Sequence, residues 1–135
     1  MKAVLCREWG PPELLAIEEV PTPAPGDGQV LIEVHAAGVN FPDALIIQKK
    51  YQVQPELPFS PGAEVAGIVR AVGRGVKPWK PGDRVIANLP YGGYAQELVA
   101  DAARVMPIPE GMDFPTASAY VLAYGTSLFA LKDRA

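Results

Sequence analysis

Glu64 stands between Pro61-Gly62 and Ala66-Gly67, at the head of a run that is otherwise apolar as far as Val69. A carboxylate there either lies at an edge and points into solvent, or faces a polar cleft while partly buried. The neighbouring residues leave both readings open. Asn40 and Asp43 are three residues apart at a candidate helix start, so both side chains can point to the same side. Capping accounts for both types, because Asn and Asp satisfy free backbone N–H groups in a first helical turn; a place in a functional cleft is the competing account. Tyr51, just past this segment, reads by itself as a loop aromatic.

Other chemistries find less material. His35 is the only histidine, and it falls on the polar side of an alternating run, which suits a surface residue. No Ser, Cys or Asp is placed to complete a hydrolytic triad with it. The single cysteine, Cys6, permits no intrachain disulfide and no cysteine-rich zinc site. It sits in the alternating run Lys2 to Arg7 with nothing near to lower its pKa, so a buried structural thiol is expected.

The chain of 135 residues is long enough for one domain with a sizeable core. At 49% hydrophobic and 20% charged it is too apolar for disorder. A formal net charge of −3 argues against a nucleic-acid partner, which needs a basic face. Lys49-Lys50, the only adjacent basic pair, reads as solvated. No charged-then-apolar leader opens the sequence, and no apolar stretch approaches the roughly 20 residues that span a bilayer. A cytoplasmic, reducing location and no membrane association are the resulting expectation.

The elements that must position these groups are marked by 15 prolines and 13 glycines, which punctuate the apolar runs and are not pooled in a linker. Such spacing reads as turns between short strands. Lys2 to Arg7 and Leu14 to Val20 form a first strand pair around Gly10–Pro12. Val30 to Ala36 alternates, with Val30, Ile32, Val34 and Ala36 on one face and Glu33 and His35 opposite, which predicts a half-exposed antiparallel strand. Pro42 and Asp43 suit the first turn of a short helix continuing through Ile47. Val65 to Val72 predicts a covered strand, with Gly67 marking a bend or a close backbone approach. Arg84 to Ala87 and Tyr94 to Ala100 supply further strands. Thr116 to Ala123 reads as a helix with Pro115 in its first turn, broken by Gly125, and Thr126 to Lys132 as the start of another.

Three segments, Asn40-Phe41-Pro42-Asp43, Pro61-Gly62-Ala63-Glu64-Val65-Ala66-Gly67 and Pro81-Gly82-Asp83-Arg84-Val85, stand in one order and spacing. In this they resemble the amino-terminal catalytic half of the medium-chain dehydrogenases and reductases. Zinc alcohol dehydrogenases of that family carry a Cys near the position of Asn40 and a His at that of Ala63, both holding catalytic zinc. This chain also runs from Ala87 through Tyr91-Gly92-Gly93-Tyr94 without a cysteine-rich lobe. It is therefore similar to the zinc-free NADPH:quinone oxidoreductase branch, and the resemblance covers essentially the whole sequence.

The resemblance implies a fold that is mainly β with short helices (α+β), a GroES-like, partly closed β-barrel. It implies a substrate and catalytic domain over residues 1–123, with 124–135 beginning the connection to a Rossmann nucleotide-binding domain that lies beyond this sequence. The function implied is reduction of a small apolar quinone or enone by hydride from NADPH, without zinc, in a longer form that is a homodimer. Asn40, Asp43, Tyr51 and Thr126 correspond to positions lining the cleft where nicotinamide and substrate meet, Asn40 and Thr126 toward the cofactor, with Glu64 organising the polar groups. Two departures, Leu45 in place of a frequent Tyr and Ala63 in place of a frequent hydroxyl residue, make the pocket more apolar. A stand-alone GroES-like binding module without chemistry and a zinc-type alcohol dehydrogenase are the alternatives.

Overall fold

The computed structural model describes residues 1–134. β1 (Lys2–Leu5) and β2 (Ala16–Glu19) pair antiparallel, with Lys2 opposite Glu19 and Leu5 opposite Ala16. The other strands are β3 (Gln29–Gly38), β4 (Glu64–Val72), β5 (Arg84–Asn88), β6 (Glu97–Asp101) and β7 (Val105–Pro107). They form one antiparallel sheet in the order β6-β3-β4-β5-β7. Its end strands β6 and β7 do not pair with each other, so the sheet stays open; bridges from Ala3 to Ala95 and from Cys6 to Phe59 tie the β1–β2 ribbon alongside. The architecture is mainly β with short helices, as expected, and the sheets are not closed into a barrel.

β3 lies inside the sheet because both its edges are paired and its apolar positions are covered: Val30 and Ile32 are fully buried. With Val65, Val69, Val85 and Leu98 they form the main core, each contributing at most about 1.5–3 kcal/mol by leaving water. The alternation does not persist to the end of β3. An irregularity between Val34 and Ala36 leaves His35 out of step, and its ring stacks on Phe114 at 4.5 Å. His35 is exposed, as expected, and its ring also supports the helix that begins at Phe114. Gly67 does mark a close approach, since a Cβ there would run into the Glu33 carbonyl and Ile32 of β3.

The helices are α1 (Phe41–Ile46), α2 (Phe114–Ala117) and α3 (Val121–Asp133). α1 drives Ile46 and Ile47 against Cys6 and Phe59 in a second small core. Burial raises the Cys6 thiol above its ordinary pKa, in keeping with a structural role. α2 covers Ala66 and Ile86 on the other face of the sheet through Ala117.

Three expectations are corrected, the first being the helix expected from Thr116 to Ala123, which is interrupted by a turn at 118–120 between α2 and α3. Gly125 does not break the last helix: α3 runs through it, because an interior glycine costs only about 1 kcal/mol against alanine and the flanking residues favour helix. The strand expected from Tyr94 starts only at Glu97, as Tyr94 turns inward to an acidic partner. The short strand β7 had no alternating pattern to reveal it and forms by pairing Val105, Met106 and Pro107 with β5.

Candidate functional site

Glu64 begins β4 and is completely buried. Its Oε1 accepts hydrogen bonds from the backbone N–H groups of Val121 at 2.5 Å and Leu122 at 3.0 Å, the first two of α3. A helix start has unsatisfied donors and a partial positive charge, so an unpaired carboxylate is stabilised there without a cation. That is the physical reason a charged residue tolerates this interior position. The other oxygen, Oε2, lies 3.5 Å from the Asn40 side-chain nitrogen. Close packing makes this possible: Gly38 at the end of β3 has no room for a side chain between the Ser118 carbonyl and Glu64.

Asn40 precedes α1 in extended conformation. Its N–H donates to Asp43 Oδ2 at 2.8 Å, and the Asp43 N–H donates to the Asn40 carbonyl at 3.0 Å. Capping therefore operates, and it leaves the Asn40 amide turned toward Glu64. Asp43 is 93% removed from solvent (7% exposed) and accepts a second bond, from the Tyr94 hydroxyl at 2.9 Å. Tyr94 is held in turn by its N–H to the Pro61 carbonyl at 2.9 Å, with its ring packed on Gly62, whose φ of +96° suits glycine. Burial first, and then the bond to Asp43, push the Tyr94 phenol well above its ordinary pKa.

Asp43 and Tyr51 meet in a hollow of about 120 Å³ walled by Pro42, Ile46, Ala63, Asn88, Leu89, Pro90 and Leu122. Asp43 and Tyr51 thus line the hollow itself, while Asn40 and Glu64 do not and are linked to it only through hydrogen bonds, Asn40 to Asp43 and to Glu64. Thr126 is not joined to it by any hydrogen bond among the described residues. It is exposed on α3 one turn beyond Leu122, on the same helix side as that lining residue. A larger apolar hollow of about 470 Å³ lies between the β1–β2 ribbon and the end of β3, with Tyr94 in its wall; it touches none of the site residues expected from the sequence.

Tyr94, Asn88 and Leu122 belong to this region and were missed. Tyr94 was legible in part, as an aromatic after Gly92-Gly93, but nothing in the sequence pairs it with Asp43. Asn88 and Leu122 join only through strand register and helix docking. Among the described residues no cluster of three or more His, Cys, Asp or Glu side chains could hold a metal ion.

Comparison with known proteins follows the same lines. The model of the alcohol dehydrogenase GroES-like domain matches residues 26–110. Quinone oxidoreductase of Rattus norvegicus is 41% identical over 133 residues, 97% of this chain and 40% of that protein. Among solved structures, the human synaptic vesicle membrane protein VAT-1 homolog-like protein superposes with a TM-score of 0.95 at 34% identity, over 98% of this chain and 43% of that one. Escherichia coli quinone oxidoreductase complexed with NADPH gives 0.93 at 32% identity, over 98% of this chain and 40% of that one. The chain thus spans about two-fifths of the length of these relatives. By the domain model, the fold and this close similarity to quinone oxidoreductases, the chain belongs to the alcohol dehydrogenase GroES-like domain family of medium-chain oxidoreductases.

Proposed function

We propose that this chain is the substrate-side domain of an oxidoreductase that reduces a quinone or an activated alkene with NADPH and without zinc. The observation that carries the reading is the convergence of Asn40, Asp43 and Glu64 beside an apolar hollow shared with Tyr51. Such a hollow suits a small planar acceptor with a polar group at one end.

The residues fit one end of the cofactor. Asn40 offers an amide, and Thr126 an exposed hydroxyl, to a nicotinamide carboxamide. The pyrophosphate finds no cradle among the described residues. The helix starts that would attract it are already occupied by carboxylates of this chain: Asp43 at α1, Asp113 at α2 and Glu64 at α3. Gly73-Arg74-Gly75 is a turn pinned by the Gly73 N–H to the Gln29 carbonyl, with no helix after it. A nucleotide-binding domain reached through residues 124–135 supplies those contacts, and it also covers Tyr124, Leu128 and Leu131, which are 64%, 62% and 75% exposed. The zinc ligands of alcohol dehydrogenases correspond to Asn40 and Ala63, an amide and a methyl group, a poor donor set for that ion.

Reduced nicotinamide, when bound, supplies the hydride. Asn40 keeps one amide hydrogen toward Glu64 and has the other to give to the acceptor oxygen, where negative charge develops. Asp43 orients Asn40 through its Oδ2, which also accepts from Tyr94, and the proton that completes the product comes from water. Tyr51 packs against the acceptor ring. The test is to follow NADPH oxidation, with quinone and enone acceptors, by a longer form that carries the nucleotide-binding domain. Hydroquinone or saturated product formed in step with NADPH loss supports the reading, and no acceptor-dependent oxidation overturns it.

A further inference from the structure

Asn88 is the last residue of β5 and stands directly opposite Glu64 in the β4–β5 register. Paired residues of an antiparallel ladder project to the same face, so Asn88 shares the face that carries Glu64, Ala66 and Ile86 beneath the helices. Glu64 is fully used by α3 and Asn40. Asn88 is half-buried, and its amide makes no hydrogen bond to another protein group among the described residues and stays in reach of solvent. It lines the hollow of about 120 Å³ with Tyr51 and Leu122, and also a surface hollow of about 280 Å³ with Ala103, Arg104 and Met106. Asn88 is therefore common to the walls of both hollows.

Most other walls of the inner hollow are apolar, and Asp43 already accepts two hydrogen bonds at Oδ2, from Asn40 and Tyr94. A half-buried amide without a protein partner at such a place gives up water when a ligand enters, and it binds best what returns a hydrogen bond. We propose that Asn88 is a specificity-determining residue that donates its side-chain N–H to a carbonyl oxygen of the acceptor, favouring dicarbonyl ring acceptors over hydrocarbons of the same shape. This rests on the acceptor site proposed above.

The experiment titrates the isotope-labelled chain with duroquinone and, separately, with durene, a ring of similar outline that lacks the carbonyl groups, while following side-chain NMR signals. Duroquinone is expected to shift the Asn88 amide together with Tyr51 and Leu122. Asn88→Ala is expected to bind duroquinone about three- to tenfold more weakly, the worth of one hydrogen bond, with durene binding unchanged. Asn88→Asp, an acceptor alone at neutral pH, should lose at least as much. Shifts at Tyr51 and Leu122 without Asn88, equal affinity in the variants, or a matching loss for durene would overturn this role and leave the acceptor site standing. Duroquinone that perturbs none of these residues would remove the acceptor site, and this role with it.

Discussion

Asp43 accepts from a backbone N–H and from a phenol, and both donors hold it toward Asn40. The phenol is neutral when it donates, and its pKa is raised in the folded chain. The sign of the pH effect follows. Below the usual phenol value of 10.0, Tyr94 is protonated in both states and its contribution is complete. Above it the unfolded chain ionises and the folded one resists, so stability falls as pH rises further. Wild type should therefore lose stability between pH 10 and 11 more steeply than Tyr94→Phe, as read from urea midpoints; parallel losses would show that burial and the bond to Asp43 together leave the phenol unshifted. At the same scale, Asn40→Ala in a longer form carrying the nucleotide-binding domain should lower the rate of NADPH-dependent quinone reduction roughly tenfold to a hundredfold through the lost donor to the developing charge. Its unfolding midpoint should fall only modestly, from the lost 3.5 Å contact to Glu64. A wild-type turnover in this variant would take Asn40 out of the site.

At the level of elements, Glu64 joins three pieces that are distant in sequence: the head of β4, the start of α1 through Asn40 and the first turn of α3. α3 buries none of its own residues, so this cap is a principal anchor. Glu64→Ala should cost about 1–3 kcal/mol, the penalty for stranding donors that have lost their partner, and should speed hydrogen exchange at the Val121 and Leu122 amides. Unchanged exchange there would mean that α3 is held by something else. Gly67 acts differently, by letting β3 and β4 approach. Gly67→Ala should destabilise by about 1–3 kcal/mol through overpacking against the Glu33 carbonyl, which equilibrium unfolding would measure.

For the molecule as a whole, the described helix starts are all filled by the chain's own acidic side chains, and that decides what can bind where. Calorimetric titration of the 135-residue chain with NADPH should show only weak association. Micromolar or tighter binding would place the cofactor site within these residues, against the division of labour proposed here. No helix among the described residues is long and apolar enough to cross a membrane.

The amino-acid sequence alone determined the β-rich architecture, since proline and glycine fall between short apolar runs and each run must bury one face. It also determined the ordered motifs that carry the family and the helix start at Asn40 and Asp43, whose local chemistry needs no distant partner. It left Glu64 undecided between solvent and cleft, because its environment is made by α3, 57 residues away. Tyr94, 51 residues from Asp43, and Asn88, 24 residues from its register partner Glu64, were beyond it for the same reason. Continuity through Gly125 also escaped it, as a glycine reads as a break although its cost of about 1 kcal/mol is outweighed by helix-favouring neighbours. Spacing along a chain reports on which face a side chain lies; which donor then meets it is settled only when strands find their register and helices dock.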